Sequence, residues 1–369
     1  MRRYLIVLLA VVGMSILAFK NKSDKPVVDI VFCLDLSRST DGLIDIFKSQ
    51  IWAVVNQISD DESLPELRVG IVGYGQPTFG QENQYVRIFS PLTTDIDECI
   101  ASVLNVDHKA ASAGNFPGVA VQACVKQMDW VKGDNTQKMI FWIGNGNVKN
   151  DIEILKKQCK KASKKDIRVN TVFVNTDIRA DHAIEWEQVA NWGGGTYHIL
   201  NQRDLIISNE TDMTEDMILD AGDLLGDTYI FYGVSGIEKK VMFDKLNAMA
   251  GSSSRKAKIN RILFQASRLY QGRNYKWDLI DFSRKAYFDV AKVDRKLLPK
   301  KWQGLADEML AERIQKKRED RDQAVNIINM LAVKLKDKYV QQMDVEDKKK
   351  PLKLDEIFLS TFKSISTVN

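Results

Sequence analysis

From Val27 to Tyr197, short apolar runs rich in β-branched residues alternate with longer stretches whose apolar positions recur at helical spacing. The short runs predict strands over Val27 to Asp35, Leu67 to Tyr74, Tyr85 to Phe89, Met139 to Ile143, Val169 to Val174 and Thr196 to Leu200. The longer stretches predict helices over Gly42 to Ile58, Ile96 to Leu104, Gly118 to Val131, Asp151 to Ala162 and His182 to Asn191. This alternation predicts an α/β class, a doubly wound and mostly parallel sheet of Rossmann-like type. The second and third runs are joined by a Gly/Gln/Asn loop, Gly75 to Gln84, which predicts an antiparallel hairpin at one edge. Sheets of this kind bind ligands at the carboxyl ends of their strands, so a site is expected just after Asp35 and Ile143.

After Ile207 the pattern becomes mainly α-helical. Glu210 to Leu225 reads as a helix and Asp227 to Gly233 as an apolar connector, and a basic helical region from Lys239 to Tyr270 is interrupted at Gly251-Ser252-Ser253-Ser254. Beyond Leu305 a long helical run carries Val325, Ile328, Ala332, Leu335 and Tyr339 on one stripe, expected to be core or a helix-pairing face. Lys316 to Asp322 is mixed in sign and expected to be a solvated face, and Asp278 and Asp281 to be helix-surface or capping groups. Trp277 is expected to be a packing residue. The predicted organisation is residues 1–26 as a targeting segment with a short linker, 27–207 as the α/β domain and 208–369 as the helical region.

The targeting segment is read from Arg2-Arg3, the uncharged apolar stretch Tyr4 to Phe19, and the polar Lys20 to Pro26. This is the order of a secretory signal. Two fates are open, cleavage after Ala18 or retention as an N-terminal anchor; either predicts an exported protein, periplasmic, secreted or in the cell envelope. Cys33, Cys99, Cys124 and Cys159 are widely spaced, without a Cys-x-x-Cys. Export would permit disulfides, while their apolar surroundings suit buried thiols equally.

The 369 residues have 44% hydrophobic and 28% charged side chains, which excludes wholesale disorder and a polytopic membrane protein. The net charge of +4 divides into −1 up to Ile207 and +5 beyond it, which disfavours nucleic acid as a partner.

One motif carries chemistry. Asp35-Leu36-Ser37-Arg38-Ser39-Thr40 follows the apolar run Ile30 to Leu34 and precedes a predicted helix. Asp-x-Ser-x-Ser in this place resembles the metal-ion-dependent adhesion site (MIDAS) of von Willebrand factor A (vWA) domains. The resemblance covers about Val27 to Ile207 and includes the turn Trp192-Gly193-Gly194-Gly195-Thr196-Tyr197 into the last strand. It implies a divalent cation, Mg²⁺ or else Mn²⁺ or Ca²⁺, held by Asp35, Ser37 and Ser39, with an open position completed by an acidic side chain of a partner protein. Hard cations of this kind take oxygen ligands, usually with several waters retained. The sequence departs from the family pattern at three places. The family's threonine in the second loop aligns near Phe116-Pro117, where Asn115 and Ser112 are the nearest oxygen side chains. The family's aspartate after the fourth strand is Asn145, and Arg38 stands between the two serines. The candidate metal ligands are therefore Asp35, Ser37, Ser39, Asn145 and Asn115. The second half is similar to that of exported bacterial vWA proteins with a helical C-terminal segment, through Asp227 to Gly233, Tyr275 to Asp281 and Leu298-Pro299.

The three histidines, His108, His182 and His198, form no His-Glu-x-x-His, and there is no Gly-x-Ser-x-Gly turn. Gly193 to Gly195 lacks the Lys-Ser/Thr of a phosphate loop, and Asp60-Asp61-Glu62 reads as a solvated turn. The sequence thus predicts a non-enzyme. Its leading reading is an exported, metal-assisted protein-binding module. The competing ones are a metal-free architectural scaffold whose helical tail makes the contacts, and a hydrolase with an unrecognised site. A membrane contact is expected only through a retained N-terminal segment.

Overall fold

The computed structural model describes residues 26–40, 43–59, 66–106, 113–114, 116–133, 135–175, 182–201, 213–345, Ile357 and Thr361. Six strands form one sheet: β1 (Val27–Asp35), β2 (Glu66–Tyr74), β3 (Val86–Thr93), β4 (Thr136–Gly144), β5 (Ile167–Asn175) and β6 (Gly194–Asn201). Their order is β3-β2-β1-β4-β5-β6. β1 is central and buried along almost its whole length, which is why it reads as a continuous apolar run and not as an alternation. β3 alone is antiparallel, paired with β2 at the edge, as the loop between them predicts. It runs four residues beyond the expected Phe89, through Pro91, a residue an edge strand tolerates because one side of its backbone needs no ladder partner.

Helices cover both faces. One face carries α3 (Pro117–Gln127), α4 (Ile152–Ser163) and α5 (Ala183–Trp192). They pack on Val31, Cys33, Val72, Tyr74, Ile140 and Trp142. The other carries α1 (Leu43–Ser59) and α2 (Ile96–Ala101), over Ile30, Phe32, Leu34, Ile71 and Phe141. The side chains alternate between these two cores along each strand, as the period of two requires.

The C-terminal helices are α6 (Met213–Gly226), α7 (Gly236–Ser253), α8 (Arg255–Ala266), α9 (Leu279–Phe282), α10 (Lys300–Gln303) and α11 (Asp307–Val345). α6, α7, α8 and α11 share the apolar core of the α1 face, where Ile218, Leu225, Phe243, Leu246, Ile262 and Ile328 join Phe47 and Trp52. Core packing is thus continuous across Ile207. A smaller apolar cluster, with Ile230, Leu279, Trp302, Leu310 and Ile314, lies under the N-terminal part of α11.

The expected break at Gly251 to Ser254 falls at its last residue. α7 continues through Ser253, and Ser254 turns extended (φ −173°, ψ 162°) while its side chain accepts the Ala257 amide at 3.0 Å and caps α8. Two surface expectations are corrected. Arg321 is fully buried among residues expected to be solvated, and Asp278 and Asp281 are buried with it. The Arg321 guanidinium pairs with Asp278, reaches Asp281 at 3.3 Å and Thr228 Oγ1 at 2.9 Å, and lies 4.3 Å from the Tyr229 ring centroid. The ion pair supplies the countercharge that a run of alternating sign hides from a reading of exposure. Asp278 also accepts the Ile280 amide, so its capping role holds. Of the α11 stripe, Ile328 and Leu335 are buried, and the Tyr339 side chain lies outside the described residues. Trp277 is a packing residue, stacked on Phe231 at 5.3 Å between centroids.

All four cysteines are buried and unbridged. Burial pushes the Cys99 and Cys159 thiols up to about 12. No helix among the described residues is long and apolar enough to cross a membrane.

Candidate functional site

The carboxyl end of β1 lies between those of β2 and β4. Asp35 is in register with Tyr74, and Leu36 still donates to the Tyr74 carbonyl at 2.9 Å, so the chain leaves the sheet only after Leu36. The turn is closed locally. Asp35 Oδ1 accepts the Ser37 amide at 3.0 Å, and Thr40 Oγ1 lies 2.7 Å from the Asp35 carbonyl and 2.8 Å from that of Ser37. Thr40 thus staples the motif's own turn, a short 3₁₀ segment over Arg38–Thr40.

Two glycines wall this turn. A Cβ on Gly144, at the end of β4, would stand 2.5 Å from Asp35 Cβ and 3.0 Å from its Oδ2. A Cβ on Gly75, whose φ is +95°, would stand 3.0 Å from Ser37 Cβ and 3.4 Å from Asp35 Oδ1. The space around the carboxylate is therefore built by the absence of two side chains. Asp35, Ser37 and Asn145 are all buried there. Burial first, and the Asp35 charge after it, holds the Tyr74 phenol well above its usual range. Burial, the neighbouring Cys124 and Asp35 do the same for the Cys33 thiol. The carboxylate's field is thus felt in a poorly solvated pocket.

The loop after β4 is pinned from α5. Trp186 donates its indole N–H to the Gly146 carbonyl at 3.0 Å and stacks on Trp142 at 3.8 Å, and His182 Nδ1 lies 3.4 Å from the Asn145 carbonyl. Trp142 in turn donates to the Tyr74 hydroxyl at 2.8 Å, so the loop after β4 and the end of β2 share one aromatic support.

The structure therefore places Asp35 and Ser37 in one turn, with Asn145 following Gly144 at the adjoining end of β4. Ser39 lies in the same turn, but its side chain is outside the described residues, as are Asn115, Ser112 and the Asp60 to Glu62 turn. Arg38 is exposed beside the motif. Sequence reasoning missed Asp151. Its Oδ2 accepts the Gly118 amide at 2.8 Å, placing a second carboxylate at the N-terminus of α3, just after Phe116-Pro117. The signal was an acidic residue at the start of α4, which reads locally as part of that helix. Among the described residues no three or more His, Cys, Asp or Glu gather where they could hold a metal ion, so a cation at Asp35 would need hydroxyl and amide oxygens as well.

The donors present suit a hard cation: a carboxylate, a hydroxyl and an amide at adjoining strand ends, in a cradle that a Cβ on either glycine would fill.

No family model matches the chain, and no curated protein does. Among solved structures it is similar to an aerotolerance-related membrane protein from Bacteroides fragilis NCTC 9343 carrying multiple mutations to serines, at 14% identity and TM-score 0.34, over 47% of this chain and 92% of that one. It is also similar to the SpRpn10 VWA domain, at 12% identity and TM-score 0.35, over 48% of this chain and 88% of that one. The chain's own topology carries the assignment: five parallel strands in the order β2-β1-β4-β5-β6, an antiparallel β3 at the edge and helices on both faces form a vWA-type fold. A mainly helical region follows it.

Proposed function

We propose that the carboxyl end of this sheet is a protein-docking site that engages an acidic side chain of a partner with the help of a divalent cation, in an exported protein without catalytic activity. The fold supports a protein-interaction module in general. The observation that carries the finer reading is the cradle around Asp35, where Gly75 and Gly144 leave room that any other residue would close. Asp35, Ser37 and Ser39 would hold the cation from β1, with Asn145 and Asn115 from the neighbouring loops. A bound Mg²⁺ or Mn²⁺ would supply positive charge to attract and orient a carboxylate. Asn145 offers an oxygen but no charge, so the site holds little negative charge of its own and leaves room for an acidic partner.

A second reading, the metal-free scaffold, has one observation in its favour: the N-terminus of α3 is already satisfied by Asp151.

A pull-down from envelope extract, with and without chelator, separates the two. Capture by the wild type that is lost with chelator and with Ser37→Ala is the result expected. Capture indifferent to both favours the scaffold.

A further inference from the structure

We propose that the opposite end of the sheet, on the face carrying α3 and α4, is a docking surface for an anionic lipid bilayer to which the chain's own N-terminal segment tethers it, with the Asp35 end facing away from the membrane. The inference is independent of whether the Asp35 site holds metal.

The first observation is where the tether emerges. β1 begins at Val27, in register with Glu66 and Thr136 at the starts of β2 and β4, so Pro26 leaves the sheet at the end opposite Asp35. The eight residue steps of β1 put the two ends roughly 26 Å apart at about 3.3 Å per residue. Between Phe19, the last residue of the apolar stretch, and Pro26 stand only Lys20 to Lys25, three of them lysines. A linker of this length spans at most about 25 Å, so a bilayer entered by Tyr4 to Phe19 lies close beneath this end.

The second observation is charge. α4 runs antiparallel to its flanking strands, and two of its four lysines, Lys160 and Lys161, lie in its last turn, at the same end as Pro26, with Lys156 and Lys157 one turn earlier. Residues 156–168 hold six lysines and Arg168 against one acid, Asp166. Lys165 donates to the Val125 carbonyl of α3 at 2.8 Å, and Lys138, near the start of β4, donates to the Lys165 carbonyl at 2.8 Å; together they bring the ends of α3 and α4 to the base of the sheet. Lys126, Lys132, Lys160 and Lys164 are exposed there, and Lys157 is exposed one turn earlier in α4. Desolvation, and then the like charges of Lys126 and Lys157, holds the Lys161 ammonium below its usual range. Gathered cations of this kind are stabilised by a surface of opposite charge, and polybasic segments beside a membrane anchor are drawn to anionic lipid within a Debye length.

The test uses the full chain in lipid nanodiscs of phosphatidylcholine, with or without about 30% phosphatidylglycerol, and follows lysine acetylation by mass spectrometry. Acetylation of Lys157, Lys160 and Lys164 should slow by about fivefold or more in the anionic discs and recover at about 0.5 M salt, where screening is strong. Lys149, exposed at the Asp35 end, should be unaffected. In the variant Lys157→Gln/Lys160→Gln/Lys164→Gln, the remaining reporters Lys126 and Lys132 should lose most of their protection. Equal rates in the two kinds of disc, equal protection of Lys149, failure of the chain to enter the discs, or protection by an RNA duplex without protection by anionic lipid would each overturn the proposal.

Discussion

Arg261 of α8 and Asp97 of α2 form a buried, two-pronged ion pair that joins the helical region to the sheet domain. The second contact of the fork measures 2.8 Å, Tyr270 donates its hydroxyl to Asp97 Oδ2 at 3.2 Å, and Arg261 Nε donates to Asn247 at 3.0 Å. The guanidinium also lies 5.1 Å from the ring centroid of Trp52 on α1. Every face of the charge is engaged, which is the condition under which a buried pair is tolerated.

Removing one partner leaves the other charged and buried. Asp97→Ala should therefore cost about 3–5 kcal/mol in urea denaturation, whereas Asp97→Ala combined with Arg261→Met should cost clearly less than the sum of the two single changes. Strict additivity of the two would show that the pair is not coupled.

The same contact bears on domain independence. The Asn56 side chain donates to the Asn260 carbonyl at 2.9 Å, and α8 packs along α1. A fragment of residues 27–207 should expose this apolar face and unfold non-cooperatively or at a much lower temperature than the whole chain. A fragment as stable as the whole chain would mean that the helical region adds no support to the sheet.

Gly144→Ala forces a methyl group against Asp35 and should destabilise the protein by about 1–3 kcal/mol through overpacking. An unchanged melting temperature would show that the cradle is looser than its dimensions imply.

His198 gives a pH signature. Burial holds its imidazole below the usual range, and its Nε2 lies 3.0 Å from Thr196 Oγ1 and 3.3 Å from Thr361 Oγ1. A depressed folded-state value means that the unfolded chain binds the proton more readily. The contribution is therefore complete above about pH 6.5, the unfolded value, and is lost as pH falls toward the folded one. Melting temperature should fall as the pH drops below about 6.5, and His198→Gln should remove that component; identical profiles for the two proteins would contradict it.

Much of the α/β architecture was legible because buried parallel strands and amphipathic helices leave different periods, and β1 in particular reads from end to end. The Asp35 turn was legible because its residues are contiguous. What escaped depends on contacts between distant parts of the chain. Arg321 reads as solvated and Asp278 as a surface or capping group until they are seen to neutralise each other, and Asp151 reads as the start of its own helix until its carboxylate is seen on α3. The lysines at the ends of α3 and α4 cancel against acids elsewhere in a summed charge, and only the topology shows that they share one end of the sheet.

The central claim, a weak cation site at Asp35 that an acidic partner completes, is tested most directly by titration calorimetry with Mg²⁺ and Mn²⁺. The wild type should bind weakly, and Asn145→Asp, which adds a negative charge at a buried oxygen donor, should tighten binding by about tenfold or more. Ser37→Ala combined with Ser39→Ala should abolish it. If the wild type and all these variants give no binding heat, the adhesion-site account is wrong, and the domain works as a metal-free scaffold.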